Sequence, residues 1–333
     1  MQLIVNQQSC EFATEGMDVP ALLASKGVGE DAVAVAVNGE VVPRRRWPSL
    51  TLADGDRVDL VKVVAGGAWH DDDALVIAGT SFTSRLLMGT GRFVSPSVLK
   101  AALEASQTEL VTVAIRMTGV DGSGPDAGIL SALDRQRYHL LPNTAGATNV
   151  RQAVFMAELA REALGTSWVK LEVIGDERTL WPDVAGTVEA TRILVREGFV
   201  VLPYTTTDLV AALRLEDAGA ATVMPLGSMI GSGQGVQDWE GVRRIVERVD
   251  VPVVVDAGIG APSDAVRAME AGAAACLINT AVSRSDDPPL MAAAMRQAVI
   301  AGRLGYRAGR MPRIDHAVPS SPTTGLVGAG LSA

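Results

Sequence analysis

Between residues 86 and 301 eight short apolar runs alternate with eight helical stretches, and this alternation most limits the folds open to the chain. The runs that read as strands are 86–88, 109–115, 138–142, 168–174, 199–203, 222–226, 252–255 and 275–279. The stretches that read as helices lie near 95–105, 128–134, 149–164, 183–197, 207–218, 239–249, 263–271 and 288–301. Eight β/α units of this length predict an α/β fold of the (β/α)8 TIM barrel type. A doubly wound open sheet is the alternative, disfavoured because no dinucleotide fingerprint follows the first strand.

Inside the fourth run two charges interrupt the apolar pattern, Lys170 and Glu172 in Trp168-Val169-Lys170-Leu171-Glu172-Val173-Ile174. Their i, i+2 spacing puts both on one face of a strand. A buried ion pair or the wet side of an edge strand would explain such a pair equally well. Reactive groups of a TIM barrel gather at the C-terminal ends of its strands, and other features fall there too. Asp256 directly follows the seventh run, Gly231-Ser232-Gly233-Gln234-Gly235 the sixth and Ala257-Gly258-Ile259-Gly260 the seventh, while Asn279-Thr280 ends the eighth. Backbone N–H groups in glycine loops favour an anion, so the last three features read as a phosphate cradle, although each alone is also what a tight turn looks like, and Asp256 is also a candidate helix cap. A lysine beside a phosphate cradle describes a site for a phosphorylated sugar whose carbonyl meets an amine. Burial would lower the pKa of that amine and nearby ionised carboxylates would raise it, and the residues alone leave open which prevails.

Residues 1–67 read as a separate module. A strand pair over 2–11, a helix over 19–26 opened by Asp18 with Pro20 in its first turn, a strand and turn through Asn38-Gly39, and last strands around the turn Asp54-Gly55-Asp56 give the order of a β-grasp, ubiquitin-like domain. It ends in Val63-Val64-Ala65-Gly66-Gly67. A diglycine threads channels too narrow for side chains, though such a pair is also an ordinary linker. The expected organisation is therefore 1–67, a linker 68–74 and the barrel 75–304, its entry hairpin at 75–82 covering the N-terminal face. A tail follows at 305–333, rich in Gly, Pro and Ser.

The formal net charge of -9 offers no basic stripe for nucleic acid, and Arg44-Arg45-Arg46 reads as a solvated loop. Cys10 and Cys276, the only cysteines, permit neither a disulfide framework nor a metal knuckle. His70, His139 and His316 are too scattered to suggest a metal, and no cofactor is expected. No apolar run reaches membrane-spanning length and the N-terminus lacks a signal-like pattern, so a soluble, cytoplasmic protein is expected.

Two resemblances sharpen these expectations. The stretch AVAVAVNGEVVPRRRW with LADGDRVDLVKVVAGG resembles the sulfur carrier of thiamin biosynthesis, ThiS, over nearly the whole first module. From about residue 73 onward, WVKLEVIGD, FVVLPY, VMPLGSMIGSGQG, VPVVVDAGIGAPSDA and INTAV, with LLPNTAG earlier and GYRAGRMPR and SSPTTG near the end, resemble thiazole synthase, ThiG. That resemblance implies an imine between Lys170 and 1-deoxy-D-xylulose 5-phosphate, with Glu172 and Asp256 as acid/base groups. It further implies Gly231, Ala257, Gly258, Asn279 and Thr280 as sugar-phosphate contacts, Gly66-Gly67 as the carrier terminus, a homo-oligomer, and a tail that partly covers the site. The reaction implied joins the sugar phosphate, dehydroglycine and the sulfur of a carrier thiocarboxylate, whose partner is an adenylating enzyme, into the thiazole phosphate carboxylate. Arg116-Met117-Thr118-Gly119 and Tyr204-Thr205-Thr206 depart from the family pattern. A non-catalytic assembly partner, or another Schiff-base lyase acting on a sugar phosphate, are the alternatives.

The fusion raises its own difficulty, because Gly67 is in a peptide bond to Ala68 and has no carboxylate to activate. The seam spans at most roughly 25 Å when extended and enters the barrel on the face opposite the expected site. Either a protease frees the module after Gly67, or a separate carrier brings the sulfur.

Overall fold

A computed structural model of the chain describes residues 1–6, 8–12, 16–26, 28, 33–62, 73–114 and 133–320. It forms two compact units, 1–70 and 71–333. Gly66, Gly67 and residues 68–72 lie outside the described residues, as do Arg116-Met117-Thr118-Gly119 and the tail beyond 320.

In the first unit the strands are β1 (Gln2–Val5), β2 (Gln8–Glu11), β3 (Val33–Val37), β4 (Glu40–Val42) and β5 (Arg57–Lys62), with helix α1 (Val19–Ser25). Asn38 and Gly39 both take positive φ, 52° and 86°, which gives the β3–β4 hairpin a two-residue turn whose twist matches its strands. Asp18 accepts a hydrogen bond from Ala21 N at 2.9 Å and so caps α1. The sheet order is β2-β1-β5-β3-β4 with β1 and β5 parallel at its centre, the β-grasp arrangement. Val19, Leu22 and Leu23 of α1 pack on Leu3, Val35 and Val58 of the sheet. Arg44, Arg45 and Arg46 lie in an exposed 3-10 turn over 44–49, whose Trp47 is buried and donates to Val42 O at 2.9 Å.

The second unit opens with a hairpin, β6 (Leu75–Ile77) and β7 (Thr80–Phe82), and continues with β8 (Leu86–Gly89), α2 (Pro96–Ser106), β9 (Leu110–Ala114), β10 (His139–Asn143), α3 (Val150–Leu164) and β11 (Trp168–Leu171). A small hairpin, β12 (Ile174–Asp176) and β13 (Trp181–Pro182), precedes α4 (Val184–Arg196), β14 (Val200–Thr205), α5 (Leu209–Asp217), β15 (Met224–Pro225) and α6 (Trp239–Val246). The unit ends with β16 (Val254–Asp256), α7 (Pro262–Glu270), β17 (Ala275–Ile278), α8 (Thr280–Ser283) and α9 (Pro288–Ala308). Eight parallel strands follow the order β15-β14-β11-β10-β9-β8-β17-β16, and parallel bridges Val223 to Val253 and Leu226 to Asp256 join the two ends. The barrel is thereby closed, which rules out the open doubly wound sheet.

One apolar layer inside the barrel takes a residue from every strand: Leu87, Leu110, Leu141, Trp168, Leu202, Met224, Val254 and Leu277. The same cluster contains Leu75, Ile77 and Phe82, so the entry hairpin plugs the N-terminal end as expected. Phe82, His139 and Trp168 meet edge to face there, with centroids 4.3 to 5.9 Å apart. Burial lowers the His139 pKa, as its place against the Phe82 and Trp168 rings requires.

Two expectations need correction. The fourth strand does not run to Ile174; it stops at Leu171, and Ile174 begins the β12–β13 hairpin. The last helix does not end at 301 but continues to Ala308, because Gly302 marks a close approach rather than a stop. A Cβ there would lie 2.5 Å from Val266 O of α7. Of the expected helix at 128–134, residues 128–132 lie outside the described residues, and a turn occupies 135–137. Residues 304–320 are each exposed; the Tyr306 ring lies against Gly272, and Arg307 Nη1 is 3.5 Å from Asp73.

The lengthened helix has a partner at the start of the unit. Asp73 accepts from Arg303 Nη2 at 2.6 Å and from Arg85 Nη2 at 3.0 Å, while Arg85 Nη1 reaches Ala274 O at 2.7 Å. The hydrogen bond from Arg303, and next among the lowering influences the Arg85 guanidinium, hold the Asp73 carboxyl below its usual range against the opposing effect of burial. Asp73→Asn removes the carboxylate that Arg85 and Arg303 share and is expected to cost about 3 kcal/mol in a urea melt at pH 7. A depressed folded pKa means that this contribution is complete above about pH 4 and disappears as pH falls through the folded value, so the difference between variant and parent should narrow in acid.

Candidate active site

Side chains alternate along a strand, so the residue two positions beyond each member of the apolar layer also faces inward, one level nearer the C-terminal mouth. That second level consists of Gly89, Thr112, Asn143, Lys170, Tyr204, Leu226, Asp256 and Asn279. The first level is apolar and the second largely polar, so chemistry begins where the plugged core ends.

Lys170 stands at the centre of this level. Its Nζ lies 3.0 Å from Glu172 Oε1 and 2.7 Å from Asp256 Oδ2, and the three residues are only 5 %, 4 % and 3 % exposed. Asp256 is the last residue of β16 rather than the first after it, and it caps no helix; α7 is opened by Ala261, with Asp264 Oδ2 accepting from the N–H groups of Gly260 and Ala261. Glu172 lies beyond the end of β11. Thr144, following β10, holds it there, since Thr144 Oγ1 donates to Glu172 O and accepts from Glu172 N, both at 2.8 Å. The Tyr204 ring is fully buried, with Lys170 Nζ 5.7 Å from its centroid, and burial raises the pKa of its hydroxyl.

Two opposing effects act on the lysine. Burial lowers its pKa, but Asp256 first and Glu172 second raise it further, so the net shift is upward and the resting side chain is an ammonium. Burial also raises Asp256, and the Lys170 charge opposes that only in part.

The glycine loops after β15 and β16 pack backbone to backbone beside the triad. Ala257 and Gly258 have φ of 61° and 76°, and a Cβ on Gly258 would lie 2.5 Å from Ser228 N, so no larger residue fits that corner. Gly235 N donates to Gly258 O at 2.8 Å and ties the two loops together. Gly231 faces Thr280, whose Oγ1 would be 3.8 Å from a Cβ placed there, and the Asn279 side chain lies over Gly89 of β8. The structure thus gathers Lys170, Glu172, Asp256, Gly231, Ala257, Gly258, Asn279 and Thr280 at one mouth, while Gly66 and Gly67 lie outside the described residues. Thr144 and Asn143 were not singled out by the sequence, although both lie in LLPNTAG and the spacing of two from Leu141 marks Asn143 as inward-facing. Among the described residues no group of three His, Cys, Asp or Glu side chains is placed to hold a metal ion, and no helix is long and apolar enough to cross a membrane.

Comparison with known proteins gives two family matches. The family model described as thiazole biosynthesis protein ThiG covers residues 76–322, and that of the ThiS family covers 3–67. A thiazole synthase from Methylobacterium sp. (strain 4-46) is 57 % identical over 258 residues, 78 % of this chain and 96 % of its own. Another, from Paramagnetospirillum magneticum, is 43 % identical over 328 residues, 98 % of this chain and 100 % of its own, so its match runs through both modules and the seam. Among solved structures, the Amycolatopsis orientalis BexX/CysO complex includes a chain 35 % identical to this one, with a TM-score of 0.66, covering 73 % of this chain and 99 % of its own.

Thr144→Val removes both bonds that hold the Glu172 backbone and leaves two buried polar groups unpaired, for which a loss of about 2 kcal/mol is expected. Thr144→Ser keeps the hydroxyl and should stay within about 0.5 kcal/mol of the parent, which denaturant melts of the two variants would establish.

Proposed function

The chain belongs to the ThiG thiazole biosynthesis family and carries a ThiS-family module ahead of it, and on that premise we propose how its site performs the thiazole synthase reaction of thiamine biosynthesis. In this reading Lys170 forms an imine with the ketone of 1-deoxy-D-xylulose 5-phosphate. Glu172 and Asp256 move protons, and Gly231, Ala257, Gly258, Asn279 and Thr280 hold the phosphate end. Sulfur arrives as a carrier thiocarboxylate and dehydroglycine supplies the remaining atoms of the thiazole phosphate carboxylate. The observation that carries the reading is the buried lysine held within 3.0 Å of two carboxyl groups at the C-terminal mouth of the barrel. An assembly-only role leaves the cost of burying these groups unexplained.

An ammonium cannot attack a ketone. Transfer of one proton from Nζ to Asp256 Oδ2, 2.7 Å away, gives a neutral amine and a neutral acid, the pair that burial favours at both ends. The amine adds to the carbonyl carbon and Asp256 returns the proton to the resulting alkoxide; a second proton then passes from the carbinolamine nitrogen through the Asp256 carboxylate to the hydroxyl, which leaves as water and so produces the protonated iminium and restores the carboxylate. Glu172, 3.0 Å from the same nitrogen, then takes a proton from the neighbouring carbon.

Sulfur delivery requires a free glycine carboxylate, so the carrier is either this module released after Gly67 or a separate copy. The match to the Paramagnetospirillum magneticum protein across the seam supports the fusion as a shared arrangement. A homo-oligomeric enzyme of the cytoplasm completes the proposal.

Borohydride reduction after incubation with the sugar phosphate should place an adduct on Lys170, and none should form in Lys170→Arg; an adduct elsewhere, or none on a folded chain, would sink the reading. Because the ion pair and the neutral pair hold the same number of protons, the trapping rate should be nearly flat between about pH 6 and 9. In Asp256→Asn the proton has one acceptor fewer and the rate should climb with pH. For the seam, intact mass of the protein from cells making thiamine separates the two routes: a fragment ending at Gly67 supports release, and full-length chain alone excludes it.

A further inference from the structure

Two amide oxygens buried in the mouth, Oδ1 of Asn143 and Oδ1 of Asn279, have no hydrogen-bond partner among the described residues. A buried acceptor without a donor is costly, and native structures contain few of them. Asn279 already falls within the phosphate end of the proposed site. Asn143 does not, and its place in the barrel is specific: it is the last residue of β10, it pairs in register with Lys170 of β11, and it shares the lysine's inward face. Neighbouring strands lie about 5 Å apart, so the amide of Asn143 stands within reach of atoms bonded to whatever Lys170 holds.

Packing alone gives no reason for an amide at this point. The level below it in β10 is filled by Leu141, and Leu226 occupies the same inner level on β15, so the barrel accepts aliphatic side chains in both places. The backbone beside Asn143 is bonded independently of the side chain, since Thr144 N donates to Lys170 O at 3.1 Å. What the oxygen lacks is a donor. A phosphate dianion has no proton to give, whereas a hydroxyl has one. The phosphate cradle lies over β15, β16 and β17, and β10 lies on the other side of Lys170 from β14 and β15. Asn143 therefore faces the reacting end of the ligand.

We infer that Asn143 Oδ1 accepts a hydrogen bond from the hydroxyl on the carbon next to the imine carbon, so that Asn143 selects hydroxyketose phosphates over their deoxy counterparts. The inference rests on the imine reading above and adds the residue that reads the substrate's hydroxyl. A site built to pair a substrate hydroxyl rejects the analogue that lacks it, because its own polar group is then left buried and unpaired.

The test compares borohydride trapping on Lys170 with 1-deoxy-D-xylulose 5-phosphate and with its analogue lacking the hydroxyl beside the ketone, for the full chain and for Asn143→Ala and Asn143→Leu. The unaltered chain should trap the hydroxylated ketose at least about tenfold more efficiently than the analogue at subsaturating concentration. Both variants should bring that ratio near one, chiefly by slowing the hydroxylated ketose. A ratio within one protein is insensitive to the fraction that folds, and using two replacements of different volume separates the lost acceptor from a cavity. An unchanged ratio in either folded variant overturns the inference, as does loss of trapping with both ketoses. Absence of any Lys170 adduct in the unaltered chain overturns the imine reading instead.

Discussion

An ammonium cannot be buried in an apolar barrel without opposite charge beside it, and most of the arrangement around Lys170 follows from that requirement. Glu172 is local, two residues further along the chain. Asp256 comes from the seventh strand, and only closure of the eight-stranded ring brings it within 2.7 Å of the same nitrogen. The two carboxyl groups raise the lysine's pKa above what burial alone would give, so the resting state is an ion pair and the reactive state differs from it by the position of a single proton.

The barrel keeps holding and reacting apart along its axis. At the N-terminal end an apolar layer, the entry hairpin and the Phe82, His139 and Trp168 cluster fill the interior. Asp73 ties the chain entry to β8 and α9 on the same end. At the other end the strands finish in polar residues and glycine loops, and Thr144 fixes Glu172 after it has left the ladder. Function can therefore vary with the loops while the core stays as it is.

Much of this was legible in the residues. Eight alternating runs specified the barrel, the order of short strands around α1 specified the β-grasp unit, and Lys170, Glu172 and Asp256 stood out as charges at strand ends. The errors have physical causes. The apolar run through Ile174 looked like one strand because periodicity does not reveal where a backbone exchanges its ladder for a side-chain clip, here the bonds to Thr144. Gly302 looked like the end of α9 because glycine lowers helix propensity, and tertiary packing against α7 overrode that preference. Asn143 carries no distinguishing signal in the sequence, because an asparagine near a turn is commonplace and its orphaned oxygen exists only with its neighbours in place.

The sequence by itself determined the succession of strand-like and helical segments, the charges set at the strand ends, and which family the two modules resemble, because periodicity, turn chemistry and motif order are local properties of the chain. The sign of the Lys170 shift, the contact with Asp256, the clip on Glu172 and the unpaired acceptor at Asn143 were decided only by the tertiary structure. Each depends on distance and burial between residues far apart in the chain, and barrel closure sets both.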